Sequence, residues 1–185
     1  MEKTVEKGTG TIVRIILTGP ESTGKTMLAT ELASRFGTTH IPEYAREYVE
    51  NLDHKYTYND VLNIAIHQVK MMESDLTTGN SLVFVDTYLI ITKVWFRRVF
   101  GKYPEWIDNE ISKTKNALYL LCKPDLPWVA DSVRENGGTM RDVLFQEYEN
   151  ELRQFGLNYS YVEGIDNMRI ENALKEVNNF LKYKN

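Results

Sequence analysis

The chain has 185 residues, of which 42% are hydrophobic, and it carries a formal net charge of −4. This length and apolar content predict one domain with a sizeable core, and the acidic balance argues against nucleic acid as a partner. The single cysteine, Cys122, excludes an internal disulfide, and we find neither a signal peptide nor an apolar run that would span a membrane, so we expect a cytoplasmic protein without a membrane partner.

The chain begins with a polar stretch and then turns apolar. Residues 1–10 are polar and contain glycine, so we predict a flexible leader before a single domain over 11–185. Residues 12–18 form an apolar run that is typical of a buried strand. Residues 25–36 show helical spacing and are followed by a glycine, which is a common stop signal for a helix.

A phosphate-binding loop joins these two segments. Residues 19–26 read G-P-E-S-T-G-K-T and match G-x-x-x-x-G-K-[ST], in the strand-before, helix-after context that this motif requires. Gly19 and Gly24 let the backbone curl, so that N–H groups and the positive helix end hold phosphate oxygens. Lys25 reaches the outer phosphates, and the Thr26 hydroxyl is a ligand for Mg²⁺. We predict a Mg²⁺-nucleotide bound by Gly19, Glu21, Ser22, Thr23, Gly24, Lys25 and Thr26; the alternative is a glycine-rich turn without a ligand.

The rest of the chain alternates between strand-like and helix-like segments. A long helix starts near Asn59 or Asp60, either of which is a suitable N-cap. Continuous apolar strands separated by helices predict an α/β, three-layer P-loop NTPase fold with five parallel strands. Ligands bind at the carboxyl ends of such strands, so residues that follow them are site candidates. The remaining strands are predicted over 38–42, 81–86, 117–122 and 159–163, and the other helices over 43–52, 88–100, 105–115, 140–155 and 167–181.

Two carboxylates follow predicted strands at that edge. Asp86 ends an apolar run, where a carboxylate holds Mg²⁺ directly or through water in phosphate-loop enzymes; the alternative is that it caps the next helix. Glu43 and Arg46 follow the second strand, where an acceptor hydroxyl needs a proton acceptor and an orienting partner. The alternative for both is an ordinary surface charge. We predict that Lys25, Glu43 and Asp86 are catalytic, and the sequence does not decide which carboxylate is the base.

Residues 124–141 form a predicted mobile lid. Two prolines and the glycine pair 137–138 supply hinges. Phosphoryl transfer depends on positioning and on neutralising charge, so we predict that Arg134 and Arg141 swing onto the phosphates when nucleotide binds. Trp128 either stacks on a substrate ring or packs beneath the loop, and the sequence favours neither alternative.

Four segments together resemble the nicotinamide riboside kinase domain of NadR-type proteins. They are the phosphate loop, P-E-Y-A-R-E-Y over 42–48, F-V-D-T over 84–87 and P-W-V-A-D-S-V-R over 127–134. The likeness runs from about residue 12 to the last helix. The tryptophan-valine-x-aspartate-x-x-arginine pattern in the lid is its most specific part.

The resemblance implies an ATP-dependent kinase that phosphorylates the 5′-hydroxyl of nicotinamide riboside to nicotinamide mononucleotide in NAD salvage. The family roles fall on Lys25 and Thr26 at the triphosphate and Mg²⁺, on Glu43 and Asp86 near the acceptor hydroxyl and the metal, and on the two lid arginines. The implied acceptor-binding residues are Glu43, Arg46, Asp86, Tyr88, Trp128 and Asp131.

Two positions depart from the family's pattern. The family's Asp-Thr-Asp after the third strand is Asp86-Thr87-Tyr88 here, and an aromatic residue often found before the glutamate is replaced by Pro42. Both positions are expected near the acceptor pocket, so a nucleoside acceptor is expected and a different nucleoside is an alternative. The length leaves no room for the adenylyltransferase and DNA-binding parts of longer relatives, so we expect a product no further than the mononucleotide.

Other functional classes stay open at this level. A regulatory P-loop ATPase would sense or hydrolyse ATP without a small acceptor, and a structural module would tolerate the loss of Gly24 or Lys25. A GTP switch is disfavoured because the sequence lacks the Asn-Lys-x-Asp guanine signature. The oligomeric state is not predicted.

Overall fold

The structure, a computed structural model, describes residues 12–74, 80–131 and 133–184, so the predicted leader over 1–10 lies outside the described residues. The strands are β1 (Val13–Thr18), β2 (Thr39–Ile41), β3 (Leu82–Asp86), β4 (Leu118–Cys122) and β5 (Asn158–Val162). The helices are α1 (Lys25–Arg35), α2 (Tyr44–Glu50), α3 (Tyr58–Ser74), α4 (Leu89–Phe100), α5 (Trp106–Ser112), α6 (Met140–Gln154) and α7 (Asp166–Lys182). The predicted order of strands and helices is confirmed, with small shifts at the ends.

The five strands form one parallel sheet in the order β2, β3, β1, β4, β5. This arrangement confirms the predicted five-stranded parallel sheet. Strand β1 is central, and its Leu17 lies opposite Asp86 of β3 and Leu120 of β4. The connections that follow β1 and its neighbouring strands lead to opposite sides of the sheet. A crevice therefore opens beyond the carboxyl ends of these strands. The phosphate loop, which follows β1, and Asp86, which ends β3, therefore lie at the same crevice.

The helices cover both faces of the sheet, which makes three layers. Successive strand residues point to opposite faces, so Ile15 and Leu17 pack with α1 and α7, while Ile16 packs with α3, α4 and α6. Each face buries a continuous apolar cluster, and this burial is the main source of stability for such a domain. Within the described part of the chain, we find no helix whose length and apolar character would let it cross a membrane.

The start of α3 differs from the prediction. The helix begins at Tyr58, so Asn59 and Asp60 lie inside its first turn and neither is the cap. Thr57 precedes the helix, and both its N–H and its hydroxyl donate to the Asp60 carboxylate at 2.7 and 2.6 Å. Asp60 therefore acts from the third helical position, in the manner of a capping box. These hydrogen bonds also lower the pKa of Asp60.

Candidate functional site

The phosphate loop requires glycine at both ends. A Cβ atom on Gly19 would lie 2.7 Å from the Cys122 carbonyl oxygen, so no other residue fits there without movement of the backbone. Gly24 precedes α1 with a φ of 74°, in the left-handed region that glycine adopts at little cost. The loop is thus pressed against β4 at one end and opens helix α1 at the other.

Lys25 and Thr23 both bind inside the loop. The Lys25 ammonium and the Thr23 hydroxyl each donate to the Pro20 carbonyl oxygen at 2.9 Å. Thr23 is buried, whereas Thr26 is exposed in the first turn of α1. Lys25 therefore folds back over the loop, and its ammonium lies where a phosphate would replace the carbonyl as its partner.

Asp86 lies deep beside the loop. Its side chain is fully buried, and one carboxylate oxygen, Oδ2, has no hydrogen-bond partner among the described residues. The hydroxyl of Thr18, at the end of β1, is buried and unpaired in the same way. An unsatisfied buried carboxylate oxygen is costly, and a hydrated Mg²⁺ is a chemically suitable partner for it. The described residues contain no cluster of three His, Cys, Asp or Glu that would hold a metal by itself.

The turn after Asp86 excludes its alternative role as a helix cap. Helix α4 begins at Leu89 with Tyr88 as its cap residue, and no described side chain makes a cap hydrogen bond there. Thr87 has a φ of 71°, which is strained for a β-branched residue, and its N–H donates to the Leu17 carbonyl at 3.2 Å. Strain of this kind concentrates at functional sites, and Thr87 lines the cavity described below.

Glu43 lies at the N-cap of α2 and close to the phosphate loop. Burial raises the pKa of its carboxyl group, and the nearby Asp86 charge raises it further, while Lys25, Arg46 and Arg134 act in the opposite direction. The Arg46 guanidinium lies 3.7 Å from the Glu43 carboxylate. The structure thus brings the predicted catalytic groups Lys25, Glu43 and Asp86 together, and a raised pKa makes Glu43 a stronger base than an ordinary glutamate.

The lid is docked on the phosphate loop through Glu21 and Ser22. The Glu21 carboxylate accepts from the N–H groups of Glu135 and Asn136 at 3.3 and 3.0 Å, and from the Asn136 side-chain amide at 3.1 Å. The Ser22 hydroxyl accepts from the Val129 N–H at 3.1 Å. The Glu21 carboxylate is thus bound by the lid, and the predicted contact of Glu21 with nucleotide stays a prediction.

A group of ion pairs joins the lid to α2. The Asp131 carboxylate forms ion pairs with the Arg46 guanidinium at 2.9 Å and with the Arg134 guanidinium at 3.1 Å. Arg134 also donates to the Val129 carbonyl at 2.6 Å. Asp131 is thus a structural link between lid and α2, and Arg134 lies at the cavity but points its charge at lid groups.

Arg141 lies at the base of the lid, in the first turn of α6. It is buried and donates to the carbonyls of Leu126 and Ser22 at 2.8 and 3.2 Å. Arg141 therefore fastens the lid base to the phosphate loop. Its predicted movement onto the phosphates stays a prediction.

Two aromatic residues of the predicted acceptor set lie away from the cavity. Tyr88 is only 2% exposed and belongs to the apolar core, where burial raises the pKa of its hydroxyl. The prediction for Tyr88 is wrong because the strained turn at Thr87 directs the next side chain back into the core. The Trp128 indole lies against Gly137, where an added Cβ would approach the ring to 3.1 Å. This contact corresponds to the second alternative for Trp128, in which the indole packs beneath the lid loop.

A cavity of about 190 Å³ opens between the phosphate loop, α2, α4 and the lid. Its lining includes several residues that the sequence did not single out, namely Tyr56, Ile91, Thr92, Trp95, Glu135, Asn136 and Tyr148. The four-residue spacing of Ile91 and Trp95 on the helix after Asp86 was a usable signal. Nothing local marked Tyr56 or Glu135, which meet only through the fold.

Arg169, which does not line the cavity, is a further residue that the sequence analysis missed. It is fully buried, and its guanidinium donates to Asp125 at 2.6 Å and to the carbonyls of Gly164 and Lys123 at 2.9 and 3.0 Å. These contacts join the loops that follow β4 and β5. Arg169 thereby fixes the edge of the crevice on the far side of the phosphate loop.

Comparison with curated proteins gives relatives for most of the chain. The chain is 27% identical over 157 residues to the trifunctional NAD biosynthesis/regulator protein NadR of Salmonella typhimurium strain LT2. The aligned region covers 82% of this chain and 38% of that protein. The chain is 28% identical over 136 residues to the protein of the same name from Escherichia coli strain K12, with 71% and 33% covered. The chain thus spans well under half the length of these relatives.

Several solved structures with a similar fold are described as complexes with nucleotides or nucleosides. A NadR protein in complex with NAD and AMP-PNP gives a TM-score of 0.67 at 21% identity, over 92% of this chain and 49% of that chain. Deoxyadenosine kinase from M. mycoides gives 0.60 at 14% identity, over 90% and 99%. These likenesses confirm the predicted fold class.

The family follows from the extent of one further match. Residues 14–167 match the family whose description is AAA domain. This match includes the phosphate loop, Glu43, Asp86 and the whole lid, and the NadR relatives confirm the resemblance that the sequence motifs predicted. Because the match covers far more than half of its length, the chain belongs to the AAA domain family of P-loop proteins.

Proposed function

We propose that the chain is an ATP-dependent kinase that phosphorylates the 5′-hydroxyl of nicotinamide riboside, giving nicotinamide mononucleotide for NAD salvage. The observation that carries this proposal is the meeting of Lys25 and Glu43 at one cavity, with Asp86 close enough for its charge to act on Glu43. The cavity adjoins the phosphate loop, so an acceptor within it would face the terminal phosphate of ATP. The NadR relatives support the choice of acceptor, and the structural neighbours named as kinases support the reaction.

The phosphate loop binds the triphosphate in this proposal. Its N–H groups and the N-terminus of α1 contact the phosphate oxygens. Lys25 exchanges the Pro20 carbonyl for the outer phosphates. Thr26 and Asp86 would hold Mg²⁺, which supplies neutralising charge at the triphosphate when bound.

Glu43 is the proposed general base, and Asp86 is the proposed metal-side carboxylate. The Glu43 carboxylate lines the cavity, and burial raises its pKa, so it accepts a proton from the acceptor hydroxyl more readily. The proton moves from the 5′-oxygen to Glu43 as this oxygen attacks the γ-phosphorus, and ADP leaves. Asp86 lies deeper, with an unpaired buried oxygen next to the loop, which suits a cation and its water better than an acceptor.

The lid supplies the remaining positive charge. Arg134 lies at the cavity, and Arg46 beside Glu43 orients the acceptor. Both guanidiniums share Asp131, and in this proposal Arg134 exchanges Asp131 for a phosphate oxygen when nucleotide binds. We further propose that the reaction is cytoplasmic and that the domain over residues 11–185 carries it alone.

The proposal is tested with an acceptor panel. Purified chain is incubated with ATP, Mg²⁺ and, in separate reactions, nicotinamide riboside, thymidine or deoxyadenosine, and the nucleoside monophosphate is measured. We expect nicotinamide mononucleotide, and no product from Lys25→Ala prepared in the same way. Product from deoxyadenosine alone would keep the kinase and refute the acceptor. ATP hydrolysis that no nucleoside changes would favour a regulatory ATPase instead.

A further inference from the structure

The cavity has two chemically different ends. The end beside the phosphate loop is charged and contains Lys25 and Glu43. We call the part of the lining that contains Tyr56, Ile91 and Trp95 the aromatic end, and the rings of Tyr56 and Trp95 meet edge to face with centroids 4.8 Å apart. An aromatic wall of this kind suits a planar ring. If the acceptor hydroxyl faces the phosphates, its base lies at the aromatic end.

Glu135 brings a carboxylate from the lid to this aromatic wall. The Tyr56 hydroxyl donates to Glu135 Oε2 at 2.9 Å. The backbone of the same lid segment is held by Glu21, which accepts from the Glu135 and Asn136 N–H groups. The Glu135 carboxylate is therefore held over Tyr56 by contacts on both its main chain and its side chain.

The charge of Glu135 is not compensated locally. In the part of the chain that the structure describes, its carboxylate forms no ion pair, and its hydrogen-bond partner is a neutral phenol. Arg98, one of the cations that line the cavity, is bound by both oxygens of Glu147 at 2.9 and 2.7 Å. The Tyr56 hydroxyl therefore lies beside a carboxylate that has no ion-pair partner among the described residues.

The Tyr56 hydroxyl group senses this negative charge. Burial is the largest cause of its raised pKa, while its contact with Trp95 acts in the opposite direction. The hydrogen bond to Glu135 and the charges of Glu135 and Glu21 raise the pKa further. Burial disfavours a charge of either sign, whereas the Glu135 and Glu21 charges disfavour an anion and favour a cation at this position.

We propose that Glu135 determines acceptor specificity by selecting a nucleoside whose base is a positively charged planar ring. Such a ring would lie against the Tyr56 and Trp95 wall, with its charge attracted by the carboxylate and by the aromatic faces. This inference rests on the proposed function for the place of the acceptor. It adds a residue to the site and a physical reason for the choice among nucleosides.

The test compares two acceptors that differ in ring charge and little in shape. Nicotinamide riboside carries a positive ring, and its dihydro form is uncharged. Isothermal titration calorimetry without ATP gives the dissociation constant of each for the natural chain and for Glu135→Gln. We expect the natural chain to bind the charged nucleoside about three- to tenfold more tightly, as for a partly exposed cation between a carboxylate and a ring. Glu135→Gln should lose this preference and keep its affinity for the uncharged form.

A matched control removes a carboxylate far from the cavity. Glu171 lies on α7 and pairs with Arg35 at the surface, so Glu171→Gln changes the net charge by the same amount and should keep the preference. Equal binding of the two nucleosides by the natural chain, or an unchanged preference in Glu135→Gln, overturns the inference.

The two proposals fail in different ways. If the preference disappears in Glu135→Gln but the natural chain transfers no phosphoryl group from ATP, the inference stands and the kinase proposal falls. If phosphorylation proceeds and the preference persists in Glu135→Gln, only the inference falls. If neither nucleoside binds in the presence or absence of ATP, both fall.

Discussion

The phosphate loop and the lid face each other across the crevice but are held by different forces. The loop is fixed by close packing: Gly19 touches the backbone at Cys122, and Thr23 is buried against the Pro20 carbonyl. The lid is held mainly by partly exposed polar contacts, such as those of Glu21 with Asn136 and of Arg46 with Asp131. Exposed pairs of this kind contribute only about 0–1 kcal/mol each. The phosphate loop is therefore built into the core, whereas most of the polar contacts that hold the lid are individually weak.

Because of this difference, we expect mutations in the phosphate loop and mutations in the lid to have distinct effects. A change in the loop should remove chemistry and leave the rest of the fold in place. A change in the lid should alter acceptor binding by small factors that depend on salt. The following four predictions run from the first type to the second.

Lys25→Ala should reduce kcat on the order of 10³-fold, because a positive charge on the transferring group is a major part of catalysis in phosphoryl transfer. Its melting temperature without ligand should stay close to that of the natural chain, since the hydrogen bond that the side chain loses is one to a loop carbonyl. Steady-state kinetics and thermal unfolding check the two statements. Near-normal turnover would place the donor site elsewhere.

Glu43→Gln should reduce kcat about a hundredfold and remove the acidic limb of the pH profile. A base works only when deprotonated, and the pKa of Glu43 is raised by its burial. Activity of the natural chain should therefore fall as the pH drops through a value above that of an ordinary glutamate. The profile of log kcat/KM against pH for both chains measures this. Retention of the limb in the glutamine variant would assign the base to another group.

Glu21→Gln should raise the KM for the acceptor about three- to tenfold and change kcat little. The substitution weakens charge-assisted hydrogen bonds from the lid, and these are worth on the order of 1 kcal/mol when partly exposed. Trypsin should also cleave faster after Arg134. Glu31→Gln, which removes an exposed carboxylate from α1, serves as the control and should change neither measurement.

Asp131→Asn should have the smallest effect, with kcat/KM lowered less than about threefold. Asp131 pairs with Arg46 and Arg134 near the surface, so the loss should shrink as salt screens these contacts. Kinetics at low and high ionic strength measure it. A loss of a hundredfold would show that the lid depends on this carboxylate as strictly as the loop depends on its glycines.

The sequence was sufficient for the fold because its signals are local. Apolar runs for β1, β3 and β4, and the helical spacing between them, follow from backbone geometry alone. The phosphate loop is also local, since its residues are consecutive. The N-cap of α3 was predicted wrongly although its signal is also local. Both Thr57 and Asp60 are good capping residues, and only the hydrogen bonds distinguish them.

The aromatic end of the cavity was not predictable in this way. Tyr56 and Glu135 are 79 positions apart and meet only when the lid docks on the loop. The same docking gives Glu21 a role that its place in the phosphate-loop motif did not indicate. Tyr88 was misplaced for a related reason, since the reversal at Thr87 depends on a strained backbone that composition does not reveal.

The exposure of helix α2 has a consequence for the evolution of such a protein. The helix supplies Ala45, Arg46 and Val49 to the cavity, next to its N-cap residue Glu43, yet none of its seven residues is buried. Replacements at Ala45 and Val49 would therefore reshape the acceptor pocket with little loss of folding free energy. A lineage can thus acquire a new acceptor through this one short helix while inheriting its phosphate chemistry intact.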